Sequence, residues 1–246
     1  MMHSSKSNWK QRTCLVLTGI VVVLTAFFLI YTGRYYHADA TAKSALEPSN
    51  GVSVTQTEYG WFFDGPSESD ALIFYPGAKV EETAYAPLLH RLAGESMDVC
   101  LVKMPFHLAV FGVNKAQELM SQYDYENWYI GGHSLGGAMA ANFAAEHAAE
   151  LKGLVLLAAY PTKELDDSLS VVSIYGSEDG VLNMDKMTQG DAYLPDSAEK
   201  IMIEGGNHAQ FGNYGEQKGD GDSDISAEEQ QRKTVEIIIE SQGQVR

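Results

Sequence analysis

Cysteine is nearly absent. Among 246 residues only Cys14 and Cys100 occur, the first in an apolar N-terminal run and the second in a strand-like apolar segment, so no disulfide is expected. Stability must come from packing, which is attainable because 45% of the chain is apolar and 10% aromatic. Basic charge is also scarce. Against 33 Asp and Glu there are 17 Lys and Arg, for a net charge of −16. The first 50 residues carry five basic and two acidic side chains, leaving −19 on the remainder. Phosphate binding needs clustered Lys and Arg, and no such cluster follows residue 50, so no nucleic-acid partner is expected. A neutral or cationic substrate is easier to accommodate.

Cofactor signatures are missing as well. The chain has no G-x-G-x-x-G, no P-loop and no zinc-ligand spacing, so no cofactor is expected. Asp220, Asp222 and Asp224 alternate as in a calcium loop, but Ile225 stands where such a loop needs glycine and no glutamate fills its twelfth position. No metal site is expected there. Acids just before a helix are explained more simply by its N-terminal dipole.

What is present begins with Cys14–Gly33, a run without charge whose length matches the hydrocarbon core of a bilayer at roughly 1.5 Å per residue. Lys6, Lys10 and Arg12 precede it, so the positive-inside bias places residues 1–13 in the cytoplasm and everything after the run outside. The competing reading is a cleaved signal peptide, with Ala38-Asp39-Ala40 as the processing site and a secreted product. The run is longer than an ordinary signal core, which favours a transmembrane anchor over 14–33. Residues 34–50 read as a flexible linker, and 51–246 as a single catalytic domain.

After Gly51, short β-branched runs alternate with segments of helical period, the pattern of a mostly parallel sheet covered by helices on both faces. Strands are expected over 52–63 (a strand or hairpin), 71–75, 98–104, 127–131, 153–159, 170–175 and 200–204. Helices are expected over 82–92, 114–122, 135–150 and 226–240, the last opened by the capping box Ser226-Ala-Glu-Glu229. Only about ten residues separate the strands ending at Ala159 and starting at Ser170, too few for a sizeable cap domain, so an open site is expected.

The densest chemical signal is Gly131-Gly132-His133-Ser134-Leu135-Gly136-Gly137, a G-x-S-x-G between an expected strand and an expected helix. Such a turn exposes the serine hydroxyl at the carboxyl edge of the sheet, and its glycines let strand and helix come close. It also leaves the Leu135 N–H unpaired beside the serine, where an oxyanion would form. Serine needs a histidine to take its proton and a carboxylate to orient that histidine. His3, His37, His90 and His147 lie in the N-terminus, linker or helices, and the ring of His133 is expected to point away from the turn. His107 and His208 remain, with Glu178 and Asp179 as candidate acids beyond the strand at 170–175.

GGHSLGG, with YPGA, GSEDG and GGNHAQFG, resembles the α/β-hydrolase superfamily over roughly residues 52–242. It looks most similar to small, lidless bacterial carboxylesterases and dienelactone hydrolases. Dienelactone hydrolases use cysteine as nucleophile, and the serine here points instead to an ordinary serine esterase. The superfamily's order of serine, acid, histidine implies Ser134, then Asp179 by its G-x-x-D arrangement, then His208. Pro76-Gly77-Ala78 takes the place of the relatives' His-Gly-x turn, which implies the Ala78 N–H as second oxyanion donor beside Leu135. The apolar loop after residue 102, with Phe106, His107 and Phe111, is the expected substrate wall. The substrate implied is a small ester or related acyl compound, a thioester or peptide remaining open. An inactive binding or scaffold protein on the same fold is the alternative.

Overall fold

In the computed structural model, which describes residues 5–95 and 97–243, the apolar N-terminal run forms one helix, α1 (Ser5–Thr32). Within it, Trp9–Thr32 reaches a mean hydropathy of 2.7 and is long and apolar enough to cross a membrane. His3 and the outer ends of the expected segments 1–13 and 51–246 fall outside the described residues. The chain divides into two compact units, one up to Tyr35 and one from Tyr36 onward.

The second unit starts earlier than expected, because the stretch read as a flexible linker is docked from Tyr36. Tyr36 N–H donates to Lys79 O at 2.7 Å, and Tyr36 O accepts from Glu81 N–H at 2.8 Å. Ala38 N–H donates to Glu81 Oε2 at 3.1 Å. Asp39 then caps a short helix, α2 (Ala40–Ser44), by accepting from Ala42 N–H at 2.8 Å. Ala38 and Ala42 are 4% and 0% exposed. Small side chains let this segment lie flush on the core while its polar residues face water, so its composition imitates a tether.

The sheet begins with the hairpin β1 (Ser53–Thr57) and β2 (Gly60–Asp64). The chain continues through β3 (Asp70–Tyr75), α3 (Ala86–Glu95), β4 (Asp98–Val102), α4 (Lys115–Met120), β5 (Asn127–His133) and α5 (Leu135–Glu146). It ends with β6 (Gly153–Leu157), β7 (Ser170–Gly176), α6 (Met184–Gly190), β8 (Glu199–Ile203) and α7 (Ala227–Gly243). The eight strands are ordered β1-β2-β4-β3-β5-β6-β7-β8, with β1, β2 and β4 paired antiparallel and the rest parallel.

Strand β3 shows how the sequence builds both layers. Leu72 and Phe74 join a core with Leu88, Leu89 and Leu92 of α3 and Val235 and Ile238 of α7. Ala71, Ile73 and Tyr75 face the opposite core with Leu119 of α4 and Ala140, Phe143 and Ala144 of α5. A strand buried on both faces reads as a continuous apolar run because neither side meets water. The chain steps from β3 to β4 on one side and then crosses to β5 on the other, which opens a crevice at the carboxyl ends of β3 and β5.

Helix ends depart from expectation for local reasons. The helix expected from Glu82 starts as a 3-10 turn over Glu82–Tyr85, and α3 begins at Ala86, ahead of Pro87 in its first turn. The helix expected to reach Glu150 stops at Glu146, because His147 leaves helical geometry and a separate 3-10 turn covers Ala148–Glu150. Ser226 does cap α7, its Oγ accepting from Glu229 N–H at 3.1 Å, while Glu229 pairs with Arg232 instead of closing the box.

The docked segment yields a direct test. Ala42→Asp is expected to lower the unfolding free energy by on the order of 3 kcal/mol, since it buries a carboxylate without a partner. On a solvated tether the same change would be neutral or slightly favourable, because Asp suits the first turn of a helix. Urea denaturation of parent and variant separates the two.

Candidate active site

β5 runs directly into Ser134, and α5 starts at the next residue. Ser134 has φ 52° and ψ −123°, a backbone conformation costly for a residue with a Cβ. Its N–H completes the sheet ladder on Leu157 O at 2.9 Å, and its carbonyl accepts Ala138 N–H of the first helical turn at 3.0 Å. The strain is therefore held from both sides. A Cβ on Gly136 would lie 2.2 Å from Tyr75 O and one on Gly132 2.5 Å from the same oxygen, so the flanking glycines are what let β3 close on the turn. The serine is left half-buried at the crevice.

Asp179 follows β7 and His208 follows β8, and the two meet. His208 Nδ1 lies 2.8 Å from Asp179 Oδ2, with side chains only 2% and 1% exposed. Asp179 Oδ1 accepts from Val181 N–H at 2.9 Å and Leu182 N–H at 2.7 Å. A carboxylate can only accept, so the neutral imidazole carries its proton on Nδ1 and its lone pair on Nε2. Nε2 is buried and has no hydrogen-bond partner among the described residues. Glu178, the reserve acid, instead accepts from the Ser177 hydroxyl at 3.0 Å.

Ser134 Oγ makes no hydrogen bond to His208 Nε2 among the described residues. What joins the two loops is His133, whose ring centre lies 4.4 Å from that of His208. As the last residue of a strand buried on both faces, His133 turns its ring into the interior, against Tyr85, His208 and Phe211. Tyr85 Oη lies 2.8 Å from His133 Nδ1 and accepts from Gly77 N–H at 3.0 Å. Burial drives the His133 pKa well below its ordinary value, the His208 imidazole acts in the same direction, and the His208 backbone opposes both. Burial likewise pushes the Tyr85 hydroxyl up. Position 133 is thus a neutral ring against the candidate base, and sequence reasoning missed it.

The loop after β3 presents one unused donor. Gly77 N–H is taken by Tyr85 and Lys79 N–H by His107 O at 2.8 Å, while Ala78 N–H between them has no acceptor among the described residues. Leu135 N–H, at the start of α5, is in the same condition. The Lys79 to His107 bond also ties this loop to the apolar one. Phe106 and His107 both take positive φ, and the rings of Phe106 and Phe111 meet edge to face with centres 5.7 Å apart. Phe106 and Phe111 are 49% and 52% exposed, so they form an open face rather than core packing. Desolvation holds the His107 pKa below its ordinary value, against the pull of Glu82.

A depressed histidine pKa has a definite sign in stability. Below its ordinary pKa the unfolded chain takes up a proton at position 133 that the folded chain refuses, so stability falls as pH falls. Between about pH 7 and about pH 5, the parent should lose up to about 1.4 kcal/mol per pH unit relative to His133→Gln. Denaturation curves across that range check this, and parallel slopes would show that the folded state accepts the proton.

The model of the alpha/beta hydrolase family matches residues 71–232. Among solved structures, the chain is similar to a serine hydrolase involved in carbazole degradation, with TM-score 0.58 and 9% identity over 79% of this chain and 100% of the other. A CIB-like hydrolase from Thermoplasma acidophilum superimposes with TM-score 0.57 and 14% identity over 76% and 99% of the two chains. Est1E from Butyrivibrio proteoclasticus gives 0.54 and 14% over 78% and 99%. No curated protein matches at the level of sequence. These structural likenesses speak for the fold, and with the family match covering well over half of its length, the chain belongs to the alpha/beta hydrolase family.

Proposed function

We propose that the chain is a serine hydrolase that cleaves carboxylic esters or related acyl bonds through an acyl-Ser134 intermediate. The observation that carries this reading is the buried Asp179–His208 pair with an unpartnered Nε2, beside a serine held at positive φ. His208 Nε2 takes the Ser134 proton as Oγ attacks the acyl carbon, and Asp179 stabilises the resulting imidazolium. The N–H groups of Leu135 and Ala78 receive the oxyanion. His208 then protonates the leaving alcohol and activates the water that releases the acid. Phe106, His107 and Phe111 supply an apolar wall for the acyl or leaving group.

The reading extends to location. Helix α1 acts as an uncleaved anchor, with its basic N-terminal end cytoplasmic and the catalytic unit outside. The docking of Ala38 and Asp39 supports this over cleavage, because the candidate processing site is part of the folded body, with Ala38 4% exposed and Asp39 capping α2. A scaffold without catalysis is the second reading, and the missing Ser134–His208 hydrogen bond is the observation in its favour. Such bonds are often long in unliganded enzymes and tighten when substrate binds.

Ser134→Ala should lose about 10³-fold or more of the parent's activity on p-nitrophenyl esters and lose labelling by a fluorophosphonate. A parent that the fluorophosphonate leaves unlabelled would establish the scaffold reading.

A further inference from the structure

The acidic stretch before α7 resembles a calcium loop in sequence, yet the carboxylate of Asp220 is engaged otherwise. Its Oδ1 accepts from His208 N–H at 3.2 Å, Gly180 N–H at 3.1 Å and its neighbour Gly221 N–H at 3.0 Å. Its Oδ2 accepts from Ala209 N–H at 2.8 Å. One carboxylate therefore grips the peptide of the candidate base and the peptide next to the candidate acid. These loops follow different strands, with α6 and β8 between them along the chain.

Backbone packing points to the same junction independently. A Cβ on Gly180 would lie 2.6 Å from Gly219 O, and one on Gly221 would lie 2.1 Å from Glu178 O. The turn at 219–221 is thus pressed against the acid loop with no room for a side chain. Asn207 Nδ2 holds the other side by donating to Gly221 O at 2.9 Å, and Gln230 of α7 clamps Asn207 through both its amide atoms at 3.0 and 2.8 Å.

We infer that Asp220 is a positioning residue of the catalytic apparatus: it sets the separation of the Asp179 and His208 loops and thereby the hydrogen bond between them. The inference rests on the reading of His208 as the base. The titratable groups facing the His208 ring are Asp179 from the β7 loop and His133 from β5, with Asp220 on its backbone; the Tyr214 hydroxyl feels the charges of both Asp220 and Asp179. Asparagine at 220 has one acceptor oxygen, so its NH2 faces either the Ala209 N–H or the three amides of His208, Gly180 and Gly221, and in both orientations the junction loses an acceptor and loosens.

The test uses the full chain, with Asp220→Asn as variant and exposed Asp222→Asn as control. Active sites are counted by fluorophosphonate labelling of Ser134. In Asp220→Asn, kcat per labelled site on a p-nitrophenyl ester should fall roughly 10- to 100-fold with KM nearly unchanged. The low-field proton resonance of His208 Nδ1–H should be lost, while Asp222→Asn keeps both the rate per site and the resonance. If the variant melts earlier but its kcat per site and resonance match the parent, Asp220 merely supports the fold and the inference fails. The resonance needs no turnover, so it decides the matter even if the parent proves inactive on esters. Should Asp220→Asn not fold, Gly180→Ala strains the same junction with the carboxylate intact and is read the same way.

Discussion

The site depends on a hydrogen bond between a carboxylate and an imidazole withdrawn from water. Asp179 and His208 are almost wholly buried, and a carboxylate in that position is tolerable only when its lone pairs are met. Here Nδ1–H of His208 and the amides of Val181 and Leu182 meet them. The geometry dictates the tautomer, and the tautomer leaves a basic nitrogen at Nε2. Removing one partner of such a pair strands the other at a cost of about 3–5 kcal/mol, so the pair resists drift. Stability and candidate chemistry rest on the same contact.

The remainder of the fold carries that pair and the serine to the same edge of the sheet. Parallel strands end on one edge, and the reversal of strand order between β3 and β5 opens a crevice there. Ser134 rises on one side of it on a backbone that the β5–α5 junction holds in a strained form. The Ala78 and Leu135 amides have no acceptor among the described residues, and His133, pinned by Tyr85, packs against the His208 ring. His133 stays neutral because the interior around it disfavours charge, so it adds bulk without competing for the role of base.

Much of this was legible in the chain. Strands buried on both faces announce themselves as apolar runs, and Ala71–Tyr75 and Gly153–Leu157 both lie in the sheet. G-x-S-x-G carries its own context, since it only makes sense between a strand and a helix. Asp179 and His208 follow β7 and β8, the later strands on which the resemblance placed the candidate acid and base. What was not legible depends on tertiary contact. Residues 36–46 have the composition of a linker and dock because Glu81 and Lys79 receive their backbone. The direction of the His133 ring is set by Tyr85, 48 residues earlier. The use of Asp220 by two loops has no local signature, because its partners are backbone amides that every sequence possesses.

Whether Ser134, His208 and Asp179 work as one proton relay is decided by a crystal structure of the chain after reaction with a phosphonate ester. Phosphorus should then be bonded to Ser134 Oγ, with one phosphonyl oxygen within hydrogen-bond reach of the Leu135 and Ala78 amides and His208 Nε2 turned to the adduct while Nδ1 remains on Asp179. An adduct on another residue, or one on Ser134 with His208 Nε2 turned away and out of reach, would rule the relay out.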